Sequence, residues 1–482
     1  MKKIWKKTAA FLLAGVATAS VLAFAACDNQ EIINAYDIAV KNGFEGDEQA
    51  WLESLRGKNG ADGQSLSIEE MYEAVKNSEE GYEGTLLDFI KELGFDFTVQ
   101  EDNDTETIAQ NTSSVVGICC AFEKQVMVGN RLNYRQEKLV SAAEGSGVIF
   151  KLRENDTTAT AYIVTNYHVV YDSEYNTGIS NCIYVYPYGA REGFTKGDDT
   201  DGDGYIETEA GDFTGDGIKA SFVGGAMDYD IAILKVDSSE YLKKSAATEA
   251  TFGSSDTLTI GEKAFAIGNA NGLGISVTSG VVSVDSENIA MTSTDGKRTV
   301  SYRVLRTDAA INHGNSGGGL FNAQGELIGI TNAKSVADET DNMGYALPIT
   351  QVRYLLDNIM ENAVNDANGY ALRAWLGVEA YIDASTASLV DGKLQIKEDV
   401  VISSVLAGDD AGAANGKLKV GDKLVSITVN GTETPIERRY RLNDLLLTVR
   451  KGDTISVKVL RDGEEKVVDI LFDKDEYFVK YA

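Results

Sequence analysis

The sequence predicts a mainly β protein of more than one domain, with a helical stretch near its N-terminus. Three observations carry this. The chain has 482 residues, more than one hydrophobic core comfortably holds. From about residue 107 onward, short runs of Val, Ile, Tyr and Thr are broken by Gly, Asn and Asp, the pattern of many short strands, as in paired barrels. Residues 28–105, by contrast, are polar and carry helix-start signals. The net charge is −30, from 74 acidic and 44 basic residues, which argues against a nucleic-acid partner because phosphate binding needs a basic face. Such a charge suits a well-hydrated surface.

In chain order, residues 1–26 read as a secretory signal peptide. MKKIWKK supplies the positive start, the apolar run from Thr8 to Ala26 follows, and small residues close it. That run is nearly long enough to span a bilayer, so an uncleaved anchor is the competing reading. Residues 27–106 read as a helical, flexible spacer. Asp47 is placed to cap a helix through Arg56, Ser67 with Glu70 forms a capping box for a helix to about Asn77, and Thr85 caps LLDFIKEL. Glu101 to Glu106 is an acidic linker.

The chemistry concentrates in Ile311–Leu320, INHGNSGGGL. Ser316 sits among glycines, which tolerate the sharp turn that exposes a nucleophile. The N–H groups of Gly314 and Ser316 are the candidates for an oxyanion hole. Taken alone, the stretch is also consistent with a Gly-rich surface turn. A serine needs a base, and the chain has only two histidines, His168 and His313. His313 belongs to the same turn as Ser316. His168 follows an apolar run in AYIVTNYHVV, and Asp230 directly precedes the apolar Ile231-Ala232-Ile233-Leu234. A carboxylate there can orient the imidazole. The order His168, Asp230, Ser316 is that of the chymotrypsin-type enzymes.

TNYHVV, DYDIAILKV and INHGNSGGGL together resemble the three catalytic blocks of the HtrA/Deg serine protease family. SGVIF at 146–150 is similar to its first barrel strand, and NMGYALPI at 342–349 to the strand closing its second barrel. The resemblance covers roughly residues 110–480 and implies a chymotrypsin-like double β-barrel over 107–365. It makes His168 the base, Asp230 its orienter and Ser316 the nucleophile. Asp228 is the rival carboxylate, disfavoured because the family's Asp abuts the apolar run. Gly319 stands where the family commonly has Pro or Ala, which is expected to loosen the turn slightly. The resemblance further implies a specificity pocket walled by Ala310, Ile311, Thr331, Asn332 and Ala333. With no acid there, cleavage after small or medium aliphatic residues is expected, with Lys334 extending tolerance to polar ones.

Two regions inside the protease part invite other readings. The insertion GDDTDGDGYIETEAGDFTGDG places Asp199, Asp201, Asp203 and Gly204 as in the first half of a calcium loop. The twelfth position is Ala210, however, with Glu209 and Asp212 out of register, so a solvated acidic hairpin is preferred and no metal or cofactor is assigned. After Cys27, three cysteines remain: Cys119, Cys120 and Cys182. An odd number cannot all pair internally, and Cys119 and Cys120, adjacent on a strand, point to opposite faces, so at most one could meet Cys182; free buried thiols are the expected state.

At the C-terminus, RAWLGV at 373–378, GKLKVGDKLVSITVNG and RKGDTISVKVLRDGEEKVV resemble a PDZ domain over 370–475, with Leu376, Gly377 and Val378 in its carboxylate-binding loop. Such domains add an extended peptide to a sheet edge and capture its C-terminal carboxylate. Phe24-Ala25-Ala26-Cys27 resembles a bacterial lipobox, which implies lipidation at Cys27. The combined expectation is a lipid-anchored serine endopeptidase on the extracytoplasmic face of a bacterial membrane. Unfolded polypeptides would be its substrates and C-terminal peptides its PDZ ligands. The family's members are often trimers, which makes a homotrimer an expectation of the same kind. The alternatives are a protease-like chaperone with an unused triad and a calcium-dependent surface adhesion module.

Overall fold

Two closed β-barrels stand side by side in the computed structural model. It describes residues 104–130, 133–173, 178–191, 215–333, 343–364, 368–390 and 392–481, together with residue 76. The expected signal peptide, Cys27, the spacer helices, the acidic stretch around Asp199–Asp203, and Lys334 lie outside these residues. Among the described residues no helix is long and apolar enough to cross a membrane.

A helix α1 (Asp104–Thr112) leads into the first barrel. Its strands are β1 (Val115–Asn130), β2 (Asn133–Glu154), β3 (Ala159–Thr165), β4 (Cys182–Pro187), β5 (Ile218–Ala226) and β6 (Ile231–Ser239). They run in the order β5-β4-β1-β2-β3-β6, and a β5–β6 pairing closes the ring. The second barrel uses β7 (Lys263–Gly268), β8 (Ser276–Thr292), β9 (Thr299–Thr307), β10 (Gly319–Asn322), β11 (Leu327–Asn332) and β12 (Gly344–Pro348). It closes in the order β10-β11-β12-β9-β8-β7. The expected mainly β, double-barrel class is the one found.

The unbroken apolar run of β6 has a direct packing cause. Ala232, Leu234 and Val236 fill the first barrel, whereas Ile231 and Ile233 face the core shared between the barrels. A strand buried on both faces reads as continuous rather than alternating hydrophobicity. The shared core also takes Val148, Val164, Ile267, Phe321, Ile330 and one stripe of α4 (Ile349–Asn362). That stripe is Val352, Leu355, Leu356 and Ile359, the three-and-four spacing of one helix face. Cys120 lies inside the first barrel, none of the three described cysteines is in a disulfide, and burial pushes the Cys120 thiol up.

The C-terminal module is entered and left through strands of the first barrel's sheet. β13 (Gly369–Ala374) pairs in parallel with β5, and β20 (Phe478–Tyr481) pairs with β13, so both extend the sheet of the first barrel. Between them lies a separate sheet ordered β14-β15-β16-β18-β19. Its strands are β14 (Val378–Val390), β15 (Lys393–Val405), β16 (Lys423–Val429), β18 (Thr454–Arg461) and β19 (Glu464–Leu471), with β17 (Thr432–Pro435) paired to β16. Helix α5 (Arg439–Leu446) belongs to this module.

A buried ionic cluster joins α5 to the second barrel. Asp444 pairs with Arg303 of β9 and accepts from the Gln351 side chain of α4 at 2.8 Å. The Tyr440 ring stacks on the Arg303 guanidinium at 3.4 Å, and Arg441 pairs with Asp256 at 3.4 Å. Burial pushes the Asp444 carboxyl up to about 6; Arg303 opposes this, and the like charge of Asp256 adds to it.

This shift fixes the sign of a pH effect. The folded-state value lies above the unfolded value of about 3.9, so the native state holds this proton more tightly. The contribution is complete below about pH 4 and is lost as pH rises through about 6. Asp444→Asn cannot titrate and should lack this component. Denaturant melts across that window should therefore show wild type losing stability relative to the variant as pH rises. A pH-independent difference would refute the assignment.

Candidate active site

The site lies where the two barrels meet. β3 ends at Thr165, and a short helix α2 (Tyr167–Val170) carries His168 outward from the first barrel. A 3-10 turn, Met227–Tyr229, ends at Asp230, which adopts the left-handed conformation with φ 53° just before β6. Asp tolerates that region better than most residues. Asn166 donates from Nδ2 to the Asp230 carbonyl at 3.0 Å, tying the two segments.

The side chains form one hydrogen-bonded line. His168 Nδ1 lies 2.7 Å from Asp230 Oδ2, and His168 Nε2 lies 3.0 Å from Ser316 Oγ. The His168 backbone N–H also donates to Asp230 Oδ1 at 2.9 Å. Asp230 is fully buried, so its charge depends on these donors. A neutral imidazole held this way by the carboxylate presents Nε2 to the hydroxyl as a base. The rival Asp228 points elsewhere: it pairs with Arg298 at 2.7 Å.

The second barrel supplies the turn around Ser316. The Asn315 N–H donates to the Asn312 carbonyl at 3.0 Å, and Gly314 has φ 89°. An i to i+3 bond with positive φ at the third residue defines a type II turn, which glycine accommodates there. From the Gly314 carbonyl to the Gly317 N–H, all but one of the backbone polar groups are engaged. Ser146 Oγ donates to the Gly314 carbonyl, Thr331 Oγ1 and the Gly318 N–H donate to the Asn315 carbonyl, the Ser146 N–H donates to the Ser316 carbonyl, and the Gly317 N–H donates to the Thr331 carbonyl. The exception is the Ser316 N–H. It and the N–H of Gly314 are without an acceptor among the described residues. Backbone donors in and around a buried turn normally find partners, so this pair is available to an outside acceptor. Gly317 is required on steric grounds, since a Cβ there would lie 2.2 Å from the Ser146 carbonyl oxygen.

The residues expected to wall a pocket separate into two groups. Ala310 is exposed, and Ile311 packs against the second barrel's core. Thr331 and Asn332 are buried with their side chains engaged: Thr331 on the Asn315 carbonyl, Asn332 donating to Asp230 Oδ2 at 2.8 Å. Ala333 contributes its backbone N–H to Ser316 Oγ at 3.1 Å. A role for Asn332 in holding Asp230 was invisible in the sequence, because the two lie 102 positions apart. Gly319 is the first residue of β10, paired with Ile330 and Ile267, rather than part of the turn. His313 is exposed and has no part in the hydrogen-bonded line.

In the C-terminal module, the Trp375–Val378 loop is braced by the 408–414 segment. The Ala413 and Ala414 N–H groups donate to the carbonyls of Trp375 and Leu376, and Gly412 packs directly on Gly377. No acceptor for the N–H of Leu376 or Gly377 is found among the described residues. The loop opens onto β14, the edge strand of its sheet.

Residues 145–330 match the family model of a trypsin-like peptidase domain. The chain is 32% identical over 345 residues to the serine protease Do-like HtrA of Lactococcus lactis (strain IL1403), covering 69% of this chain and 71% of that protein. It is 30% identical over 397 residues to the serine protease Do-like HtrB of Bacillus subtilis (strain 168), covering 78% and 74%. A probable periplasmic serine endoprotease, DegP-like, of Halomonas elongata is 34% identical over 281 residues, covering 56% and 54%.

The geometry separates the two carboxylates by experiment. Asp230→Asn should lower turnover of a peptide substrate by roughly ten-thousand-fold, through the wrong imidazole tautomer. Asp228→Asn should leave it within about fivefold, since a partly exposed ion pair is worth at most about 1 kcal/mol. Asn332→Ala removes a hydrogen bond to a charged group, worth about 1.5–3 kcal/mol, and should lower kcat roughly 10- to 100-fold. Wild-type kcat in Asn332→Ala would show that the amide does not support Asp230.

Proposed function

The chain belongs to the HtrA/Deg family of serine proteases and is a serine-type endopeptidase; from that premise we propose how this member works and where. His168 takes the Ser316 proton as the hydroxyl oxygen attacks a peptide carbonyl. The N–H groups of Gly314 and Ser316 then stabilise the oxyanion of the tetrahedral intermediate. His168 returns the proton to the leaving amine, and water hydrolyses the acyl-enzyme by the same path in reverse. Asp230 keeps the imidazole oriented and stabilises its cation. The observation that carries this reading is the continuous line from Ser316 through His168 to Asp230 beside two N–H groups without an acceptor among the described residues.

Substrates in this reading are unfolded polypeptides, cut after small or medium aliphatic residues. The module at 370–475 acts as a PDZ domain, with the N–H groups of Leu376, Gly377 and Val378 receiving a C-terminal carboxylate. The free edge of β14 supports this, because a peptide strand can pair with it. The periplasmic naming of the Halomonas relative supports an extracytoplasmic location, and the Phe24–Cys27 sequence supports lipid anchoring at Cys27.

Three measurements test these points. Casein digestion should be abolished by Ser316→Ala, with turnover down roughly four to six orders of magnitude and an unchanged melting curve. Residual digestion near the wild-type rate would mean that the line of side chains is not used. A peptide with a free C-terminal carboxylate and an apolar last residue should bind the full chain at about micromolar Kd, and its C-terminal amide more weakly. Equal affinities would remove the carboxylate from recognition. Cys27→Ala should yield a precursor that is poorly processed and lacks lipid; identical processing to wild type would exclude the lipoprotein reading.

A further inference from the structure

We propose that Ser146 is a positioning residue for the oxyanion turn, acting through its side-chain hydroxyl. The proposal rests on the reading of Ser316 as nucleophile and goes beyond it. Ser146 lies on β2 of the first barrel, 168 positions before the residue it holds, and is completely buried. Its hydroxyl makes two bonds at once. It donates to the Gly314 carbonyl at 2.7 Å and accepts from the Asn269 N–H, just past β7 of the second barrel, at 2.7 Å.

The geometry assigns the hydroxyl a specific task. The Gly314–Asn315 peptide unit is gripped at both ends, its carbonyl by Ser146 Oγ and its N–H by the Asn312 carbonyl. With that plane fixed and Gly314 at φ 89°, the preceding peptide unit, which carries the Gly314 N–H, has its direction set. Type I and type II turns differ by a flip of that central peptide, which would aim its N–H the opposite way. Thr331, from the second barrel, grips the next carbonyl, that of Asn315, at 2.6 Å. Hydroxyls from both barrels thus clamp consecutive carbonyls of one turn. Ser146 touches neither His168 nor Ser316 through its side chain, so it acts through the turn.

The Asn269 bond makes the hydroxyl selective. Oγ has one proton, and with the Asn269 N–H occupying a lone pair, that proton is directed to the Gly314 carbonyl. Removing the hydroxyl leaves two buried backbone groups unsatisfied, which favours a rearranged turn.

The test uses the full chain with a fluorogenic peptide and a peptidyl boronate, which forms a tetrahedral adduct on a serine oxygen. Ser146→Ala should lower kcat about 10- to 100-fold with KM little changed, and weaken boronate affinity by a similar factor. An interaction made only in the transition state behaves in this way. Peptide affinity in the Ser316→Ala background should be unaffected by adding Ser146→Ala. Ser146→Thr, which keeps the hydroxyl, should recover most of the activity. Thr331→Val should produce a smaller loss of the same kind. If Ser146→Ala melts early, Ser146→Cys, similar in shape with a weak donor, takes its place: a loss of kcat at native melting temperature supports the proposal. Unchanged kcat, or kcat and KM effects without loss of boronate affinity, would overturn it. Full cleavage by Ser316→Ala alone would instead remove the nucleophile assignment on which it rests.

Discussion

The buried carboxylate of Asp230 is the constraint on which the site depends. A charge without solvent contact must be met by donors, and here they come from both barrels. The backbone and ring N–H groups of His168 arrive from the first barrel, and the Asn332 amide arrives from the second. If the barrels moved apart, Asp230 would lose a partner in a medium that penalises the loss. The interface between the barrels is therefore held by polar geometry as well as by the shared apolar core of Val148, Val164, Ile233, Phe321 and Ile330.

The same interface shapes the turn around Ser316. β2 reaches across with the Ser146 backbone and hydroxyl, while β11, in the turn's own barrel, contributes the Thr331 backbone and hydroxyl. Between them they leave the Gly314 and Ser316 N–H groups without acceptors among the described residues. In a folded interior such groups are an energetic liability. Their presence beside a serine bonded to a histidine makes sense as preorganisation for an anionic intermediate, where the donors need no rearrangement at the moment of reaction.

The C-terminal module is attached by charges in a comparable way. Arg303 sits on β9, whose end at Thr307 leads through Asp308–Ile311 into the turn around Ser316. Its partner Asp444 sits on α5, in the module carrying the Trp375–Val378 loop. A buried ion pair is weak evidence for stability but strong evidence for a defined geometry when its polar atoms are largely matched, because breaking one side leaves a charge in the interior. β13 and β20 add a second attachment through the first barrel's sheet.

The double-barrel class and the residues of the hydrogen-bonded line were legible in the sequence because local chemistry encodes them. The glycines around Ser316 mark a turn only they tolerate, the run after Asp230 marks a strand buried on both faces, and a chain with two histidines offers few bases. Asn332 and Ser146 were not legible in their present roles. Each is an ordinary polar residue in a strand, and each meets its partner across more than a hundred positions. The same holds for Arg303 with Asp444, and for β13 and β20 joining the first barrel's sheet. Turns, strand periodicity and reactive groups are encoded locally, since backbone conformation and side-chain type act over a few residues. Which buried donor meets which buried acceptor emerges at the level of the folded chain. That pairing is settled by how the barrels and the module pack, and it has no local signature.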